Sequence, residues 1–196
     1  TRDGRRLGVV PGRMGGMTSR DRETRAVTAL CLVQFVDVLG VTVVVTALPV
    51  MLRGVGADAS EGTLVATGYA MFFGGLLMFG ARVGDRFGHR QTFLIGVIGF
   101  AAASGAIGLS DSIALVVTFR VFQGLFGALL MPAALGLLRA TFPAEKLNMA
   151  IGIWGMVIGA STAGGPILGG FLVEHVSWQS VFFINVPVGV VALVLG

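Results

Sequence analysis

The sequence predicts an all-α membrane protein with six transmembrane helices, and three observations carry that expectation. Apolar residues make up 55% of the 196 residues and charged residues only 12%, about half the charge of an ordinary soluble domain. Mean hydropathy is +0.88. The apolar residues gather in six long runs, and all the charge except Asp37 and Arg120 falls between them. Such a chain cannot cover itself with polar side chains in water, so lipid is its solvent. The 31 glycines show no collagen-like period, and inside apolar runs they point to close helix packing.

Taken in order, residues 1–25 are polar, Gly- and Arg-rich and aperiodic, which predicts a disordered cytoplasmic tail. They do not resemble a signal peptide, because no short apolar core with a cleavage site follows. The natural start is expected at Met17 or Met14. The spans are expected at 26–49, 62–81, 92–109, 113–138, 149–173 and 181–196, and they form one bundle over 26–196. Most are close to the roughly 20 residues a membrane helix needs; the sixth stops at the chain end and reads as cut short. Backbone groups in lipid must be paired within the segment, which requires helices. The segments lack the apolar/polar alternation of a membrane barrel strand.

The connections set the orientation. Arg20, Arg22 and Arg25 precede the first span, Arg82, Arg86 and Arg90 follow the second, and Arg139 and Lys146 follow the fourth. The other connections hold Arg53, Asp111, Glu174 and His175. Basic residues favour the cytoplasmic side, so both termini are expected there, with a multi-pass chain in the plasma membrane. The predominance of arginine, with Lys146 the sole lysine, hints at a bacterial source.

Other functional classes find little support. The net charge of +4 lies in short loops and follows membrane topology, so nucleic acid is not expected as a partner. The single cysteine, Cys31, allows no disulfide within the chain, no redox pair and no zinc site, and no metal or cofactor is expected. Ser161 in its glycine-rich run invites comparison with an intramembrane serine protease. A serine nucleophile needs a base within hydrogen-bond reach, though, and His89 and His175 both fall in loops. No enzyme is expected.

Four ordered motifs are more specific. The junction after the second span reads Ala81-Arg82-Val83-Gly84-Asp85-Arg86-Phe87-Gly88-His89-Arg90. It resembles the G-x-L-[GA]-D-R-x-G-R-[RK] loop of the major facilitator superfamily, matching at Asp85, Arg86, Gly88 and Arg90. A carboxylate at a helix end suits arginines or a helix N-terminus, and Gly88 suits a tight turn. The fourth span contains Arg120-Val121-Phe122-Gln123-Gly124-Leu125-Phe126-Gly127, similar to the family's R-x-x-Q-G-x-x-G. Arg120, Gln123, Gly124 and Gly127 share one helix face. A charge within a span costs about 2.5–3.5 kcal/mol on insertion scales, so the polar and glycine neighbours of Arg120 point to a water-lined cavity.

The fifth span carries Gly152, Gly155, Gly159, Ala163, Pro166 and Gly170 at spacings of three or four, which predicts one stripe of small residues. Its segment Ala163-Gly164-Gly165-Pro166-Ile167-Leu168-Gly169-Gly170 resembles the G-P-x-x-G-G motif of the family's antiporters. The first span, with Thr42 and Ala47-Leu48-Pro49, resembles the D-x-T-[VI]-V-N-V-A-L-P pattern of drug/proton antiporters. Gly40 and Val45 depart from that pattern, and Asp37 stands nearly one turn before the expected aspartate. Asn185-Val186-Pro187-Val188-Gly189 in the sixth span, and Thr67 and Tyr69 in the second, also look like this branch.

The resemblance implies the N-terminal six-helix half of a fourteen-span drug/proton antiporter, built as two inverted three-helix repeats. By its place in space, on a face similar to that of the expected aspartate, Asp37 takes the proton-coupling role with Arg120; repeat logic puts substrate contacts at Gln34, Tyr69 and Gln123, and the resemblance implies a cytoplasmic latch at Asp85, Arg86, Gly88 and Arg90. Packing and hinge roles fall to Gly152, Gly159, Gly165, Pro166, Gly169 and Gly170. Burial raises the proton affinity of a carboxylate and a nearby cation lowers it, so movement of Arg120 relative to Asp37 would bind and release protons. The partners implied are the bilayer, a small-molecule substrate, protons and a second half following this one. Two alternatives share the same residues: a metabolite or sugar carrier of the same superfamily, and a stand-alone six-helix protein that dimerises. The topology predicts that cysteines introduced at Ser110 and Ser177, after removal of Cys31, are labelled from outside intact cells; labelling only after permeabilisation would reverse the orientation.

Overall fold

The computed structural model describes residues 19–195. Its helices are α1 (Ser19–Val55), α2 (Ala59–Phe87), α3 (His89–Gly108), α4 (Ile113–Thr141), α5 (Ala144–His175), α6 (Ser180–Phe183) and α7 (Asn185–Leu195), with no strand among the described residues. Five helices are long and apolar enough to cross a membrane, and the last apolar region, Ser180–Leu195, is shorter. The expected sixth span is thus a shorter helix, divided at Ile184 into α6 and α7.

Two boundaries differ from expectation. Residues 19–25, read as part of a disordered tail, continue α1, and Glu23 there meets Lys146 at the start of α5 at 3.1 Å. Residues 1–18, with Met14 and Met17, lie outside the described residues, as does Gly196. The helices are also longer than the apolar runs. α1, α2, α4 and α5 have 37, 29, 29 and 32 residues, or about 44–56 Å at 1.5 Å per residue. They therefore overrun a hydrocarbon core of about 30 Å. Pro49, Pro132 and Pro166 lie within α1, α4 and α5 without ending them.

A single residue separates α2 from α3. Gly88 has φ 95° and ψ 132°, a backbone that a side chain would strain, and its N–H donates to Gly84 O at 2.9 Å. Packing is reciprocal: α4 lies against α2 and α3, while α1 lies against α5 and α7. Gly124 lets α4 approach α2, since a Cβ there would stand 2.5 Å from the Tyr69 carbonyl oxygen.

The interior is layered along the helix axes. One apolar cluster joins Leu30 and Val33 of α1, Phe93 and Val97 of α3, Leu130 and Leu138 of α4, and Ala192 of α7. A second joins Leu39 and Val43 of α1, Val65 of α2, Ile107 of α3 and Val116 of α4, with Phe182 of α6. Between them, on the same helices, lie the buried polar residues Gln34, Asp37, Ser104, Arg120, Gln123 and Asn185. At one end of the bundle Arg25 of α1, Arg90 of α3, Thr141 of α4 and Leu195 of α7 border a cavity of about 530 Å³. Val45, Met71, Met78, Phe79, Ile95 and Ile167 are exposed around the flanks, as lipid-facing residues are.

The glycines of the stripe expected on the fifth span make no close helix contact among the described residues. An added Cβ would meet nothing within 4 Å at Gly152, Gly155, Gly159 or Gly170. The close contacts are made instead by Gly165 against Thr42 and by Gly169 against Val43 and Thr46 of α1. At 3.6 residues per turn, Gly165 and Gly169 lie more than a quarter turn round from Pro166 and Gly170, so the antiporter-like segment divides between two faces. Within this chain only one of them packs.

Ser110 is buried, with its hydroxyl on the Ala106 carbonyl, so the exposed neighbour Asp111 is the better labelling position. Packing also predicts the sign of a substitution that helix propensity opposes. Alanine is favoured over glycine in a helix by about 1 kcal/mol, yet Gly124→Ala drives a methyl group into the α2 backbone and is expected to destabilise the bundle by about 1–3 kcal/mol. Reversible unfolding in mixed micelles measures this, and an unchanged or raised stability would remove the close α2–α4 approach.

Candidate functional site

The polar layer is one connected set of side chains drawn from five helices. On α1, Gln34 and Asp37 lie one turn apart, and Gln34 Nε2 donates to Asp37 Oδ2 at 3.4 Å. From α2, the Tyr69 hydroxyl donates to Asp37 Oδ1 at 2.9 Å. The Tyr69 ring stacks on Phe73 with centroids 5.5 Å apart, and the Arg120 guanidinium carbon stands 4.6 Å from the Tyr69 ring centroid. That is cation–π range. Arg120 Nε donates to the Val65 carbonyl at 3.2 Å and Nη1 to Gln123 Oε1 at 2.6 Å. Gln123 Nε2 continues to Ser104 Oγ of α3 at 2.7 Å, and Asn185 Nδ2 of α7 reaches the same oxygen at 3.0 Å.

Both formal charges are inside: Asp37 is 3% exposed and Arg120 1%. Among the described residues no carboxylate oxygen comes within 4 Å of Arg120. Tyr69 stands between the two charges, with its hydroxyl on the anion and its ring face on the cation. Glycine makes the room, because a Cβ at Gly127 would come within 3.3 Å of Asp37 Oδ1 and 3.2 Å of the Tyr69 hydroxyl. The arrangement keeps a carboxylate hydrogen-bonded by neutral donors and a guanidinium close by but not paired with it. A buried charge without such partners would cost several kcal/mol.

All five residues expected at the coupling and substrate positions, Gln34, Asp37, Tyr69, Arg120 and Gln123, meet here. Ser104 and Asn185 were not assigned to the site. Ser104 had left a signal, as the lone polar residue inside the third apolar run apart from Thr92 at its edge. Asn185 entered only as part of the sixth-span pattern. Among the described residues no group of three or more His, Cys, Asp or Glu side chains converges as metal ligands do.

The loop motif lies at the turn between α2 and α3. Asp85 is exposed, and the His89 ring stands beside it, with Nε2 3.6 Å from Asp85 Oδ1. Arg86 stands over the Phe87 ring at 5.8 Å. The His89 ring is seated against Gly84 of α2 and Gly136 of α4, and its Nδ1 has no hydrogen-bond partner there. His89, which departs from the family pattern, thus takes a packing place at the turn.

Comparison with known proteins agrees with this architecture. The model of the Major Facilitator Superfamily matches residues 30–196. The chain is 59% identical over 155 residues to the tetracenomycin C resistance and export protein of Streptomyces glaucescens, covering 79% of this chain and 29% of that one. It is 40% identical over 162 residues to the puromycin resistance protein pur8 of Streptomyces alboniger, covering 82% and 32%. It thus spans about a third of the length of these curated relatives. Among solved structures it superimposes on a bacterial homolog of the human lysosomal transporter Spinster, inward-facing and occupied. The TM-score is 0.76 at 23% identity, covering 92% of this chain and 44% of that one.

The geometry generates a measurable coupling. Tyr69→Phe keeps the ring beneath Arg120 but removes the donor to Asp37, and loss of a hydrogen bond to a charged group is expected to cost about 1.5–3 kcal/mol. With Asp37→Asn already present the same change is expected to cost less, because the shared contact is gone. Equal losses in both backgrounds, in a double-mutant cycle of unfolding, would separate Tyr69 from Asp37.

Proposed function

Because the chain belongs to the Major Facilitator Superfamily, we propose that it is the N-terminal bundle of a bacterial proton-coupled exporter of antibiotic-like small molecules, working by alternating access. The observation that carries this reading is the buried Asp37 carboxylate, held by Gln34 and Tyr69 while Arg120 waits across the tyrosine ring. A carboxylate so held accepts a proton without the loss of a direct ion pair. Approach of the guanidinium favours the ionised form and its withdrawal the protonated form. Rocking of the bundle, by shifting α4 against α1, then binds the proton on one side of the membrane and releases it on the other.

Gln34, Tyr69 and Gln123 link this step to cargo. Each already spends a polar group on the Asp37–Arg120 set, so a substrate that draws on any of them changes the environment of the charges. The resistance and export names of the two Streptomyces relatives support an antibiotic as cargo. Two inverted three-helix repeats are supported by the packing: α1 against α5 is answered by α4 against α2, and α1 against α7 by α4 against α3. The gathering of Arg25 and Arg90 at one end supports a cytoplasmic placing of that end. The unpacked face of α5, with Gly152, Gly155 and Gly159, and the exposed Asp85 at the loop are proposed to meet a second bundle, as the relatives' greater length supports.

The test is substrate-driven proton movement in vesicles containing the full-length protein, with tetracenomycin C and puromycin as cargo. Asp37→Asn and Arg120→Ala are expected to abolish exchange while inserting normally, since removing a charge from a span eases insertion. Residues 1–196 reconstituted alone are expected not to transport, since half the cavity wall is absent. Normal exchange by Asp37→Asn would move the proton site elsewhere, and transport by a monomer of the 196-residue chain would end the two-bundle reading.

A further inference from the structure

Ser104 lies outside every motif, on the one spanning helix whose apolar run holds no charge and no recognisable pattern. Its surroundings are unusually complete. A serine hydroxyl has one proton to donate and two lone pairs to accept with. At Ser104 the proton goes to the Phe100 carbonyl at 2.8 Å, one turn back on the same helix. The two acceptor places are taken by Gln123 Nε2 at 2.7 Å and Asn185 Nδ2 at 3.0 Å. Ser104 and Gln123 have no exposed surface and Asn185 has 1%, so these bonds have no water to replace them.

Gln123 has two unlike ends, and Arg120 can face only one of them. A guanidinium carries donors alone, so the amide oxygen must point at Arg120 and the amide nitrogen must point away, toward an acceptor. Ser104 Oγ is that acceptor. We infer that Ser104 is a positioning residue for the coupling site, setting the orientation of the Gln123 amide and through it holding Arg120 against α2 rather than α1. The inference rests on the proposed coupling role of Asp37 and Arg120. Without the hydroxyl, two buried amide NH₂ groups lose their common acceptor, and Gln123 is free to turn its NH₂ toward the guanidinium, donor against donor. Arg120 then keeps only the Val65 carbonyl and the Tyr69 ring.

The experiment uses the full-length protein in lipid nanodiscs and vesicles, with tetracenomycin C as the transport probe. One readout is the side-chain Nε–H resonance of Arg120 in ¹⁵N-arginine-labelled protein, assigned by its loss in Arg120→Lys. The other is the maximal rate of substrate-driven proton movement. Ser104→Ala is expected to broaden or shift the Arg120 resonance and to lower the maximal rate about tenfold, with KM changed less than twofold. Ser104→Thr, which retains the hydroxyl, is expected to keep the resonance and most of the rate. Asn185→Ala removes three heavy atoms where Ser104→Ala removes one, so a packing role predicts the greater loss for Asn185→Ala. Positioning predicts the reverse, because Gln123 keeps its acceptor in Asn185→Ala, and this comparison stands even if the threonine variant folds poorly. An Arg120 resonance unchanged in Ser104→Ala, or a larger effect of Asn185→Ala on both readouts, would overturn the assignment. Absence of proton movement in the wild-type protein, with the Arg120 resonance still responding to Ser104→Ala, would instead reject the antiport reading and leave the positioning role standing.

Discussion

Arg120 brings five N–H donors and a full charge into the middle of a membrane-spanning bundle, and no carboxylate answers it directly. The surroundings must therefore supply acceptors and a π face, from α2 and from α4 itself: the Val65 carbonyl, the Gln123 amide oxygen and the Tyr69 ring. The first and third of these hold α2 against α4, and the second, within α4, orients Gln123. Tyr69 and Val65 hold α2, Gln123 reaches α3 through Ser104, and Ser104 in turn holds α7 through Asn185. Asp37 joins α1 to the same set by way of Tyr69. The need to satisfy one cation thus sets the mutual placement of five helices.

The two apolar clusters on either side of this layer give it a dry environment. In such surroundings polar contacts are stronger than in water and their loss is correspondingly more costly. Few neutral rearrangements exist, because every donor that turns away must find another acceptor. Such constraints favour a few discrete arrangements over intermediate ones. Alternating access needs discrete arrangements of that kind, and the residues that make the bundle specific are the ones proposed to respond to a proton.

Glycine has two uses that composition alone does not separate. Gly124, Gly165 and Gly169 permit the close approaches inside the bundle, and Gly88 the one-residue turn between α2 and α3. A Cβ added at Gly152, Gly155 or Gly159 would meet nothing within 4 Å among the described residues. Small residues at helical spacing announce that a backbone can come close, but not which backbone. The turn motif behaves similarly: its glycine is explained by φ, whereas the carboxylate of Asp85 and the ring of His89 find each other rather than the expected arrangement of arginines.

Hydropathy was enough to predict a helical membrane protein and its five long spans, because lipid forces backbone pairing within each segment and leaves helices as the solution. The ordered motifs were enough to name the family, and the cost of charged and amide groups inside a span drew attention to Asp37, Gln34, Arg120 and Gln123. Helix ends were less legible, and α1 runs back to Ser19 because residues outside the lipid need no apolar pattern to continue a helix. What only the tertiary structure decided is who touches whom. Tyr69 separates Asp37 from Arg120, Ser104 and Asn185 complete the set, and one face of α5 packs on α1 while another stays bare. Those outcomes depend on the angular and axial register between helices distant in sequence, and register is set by the summed packing of all of them rather than by any one segment.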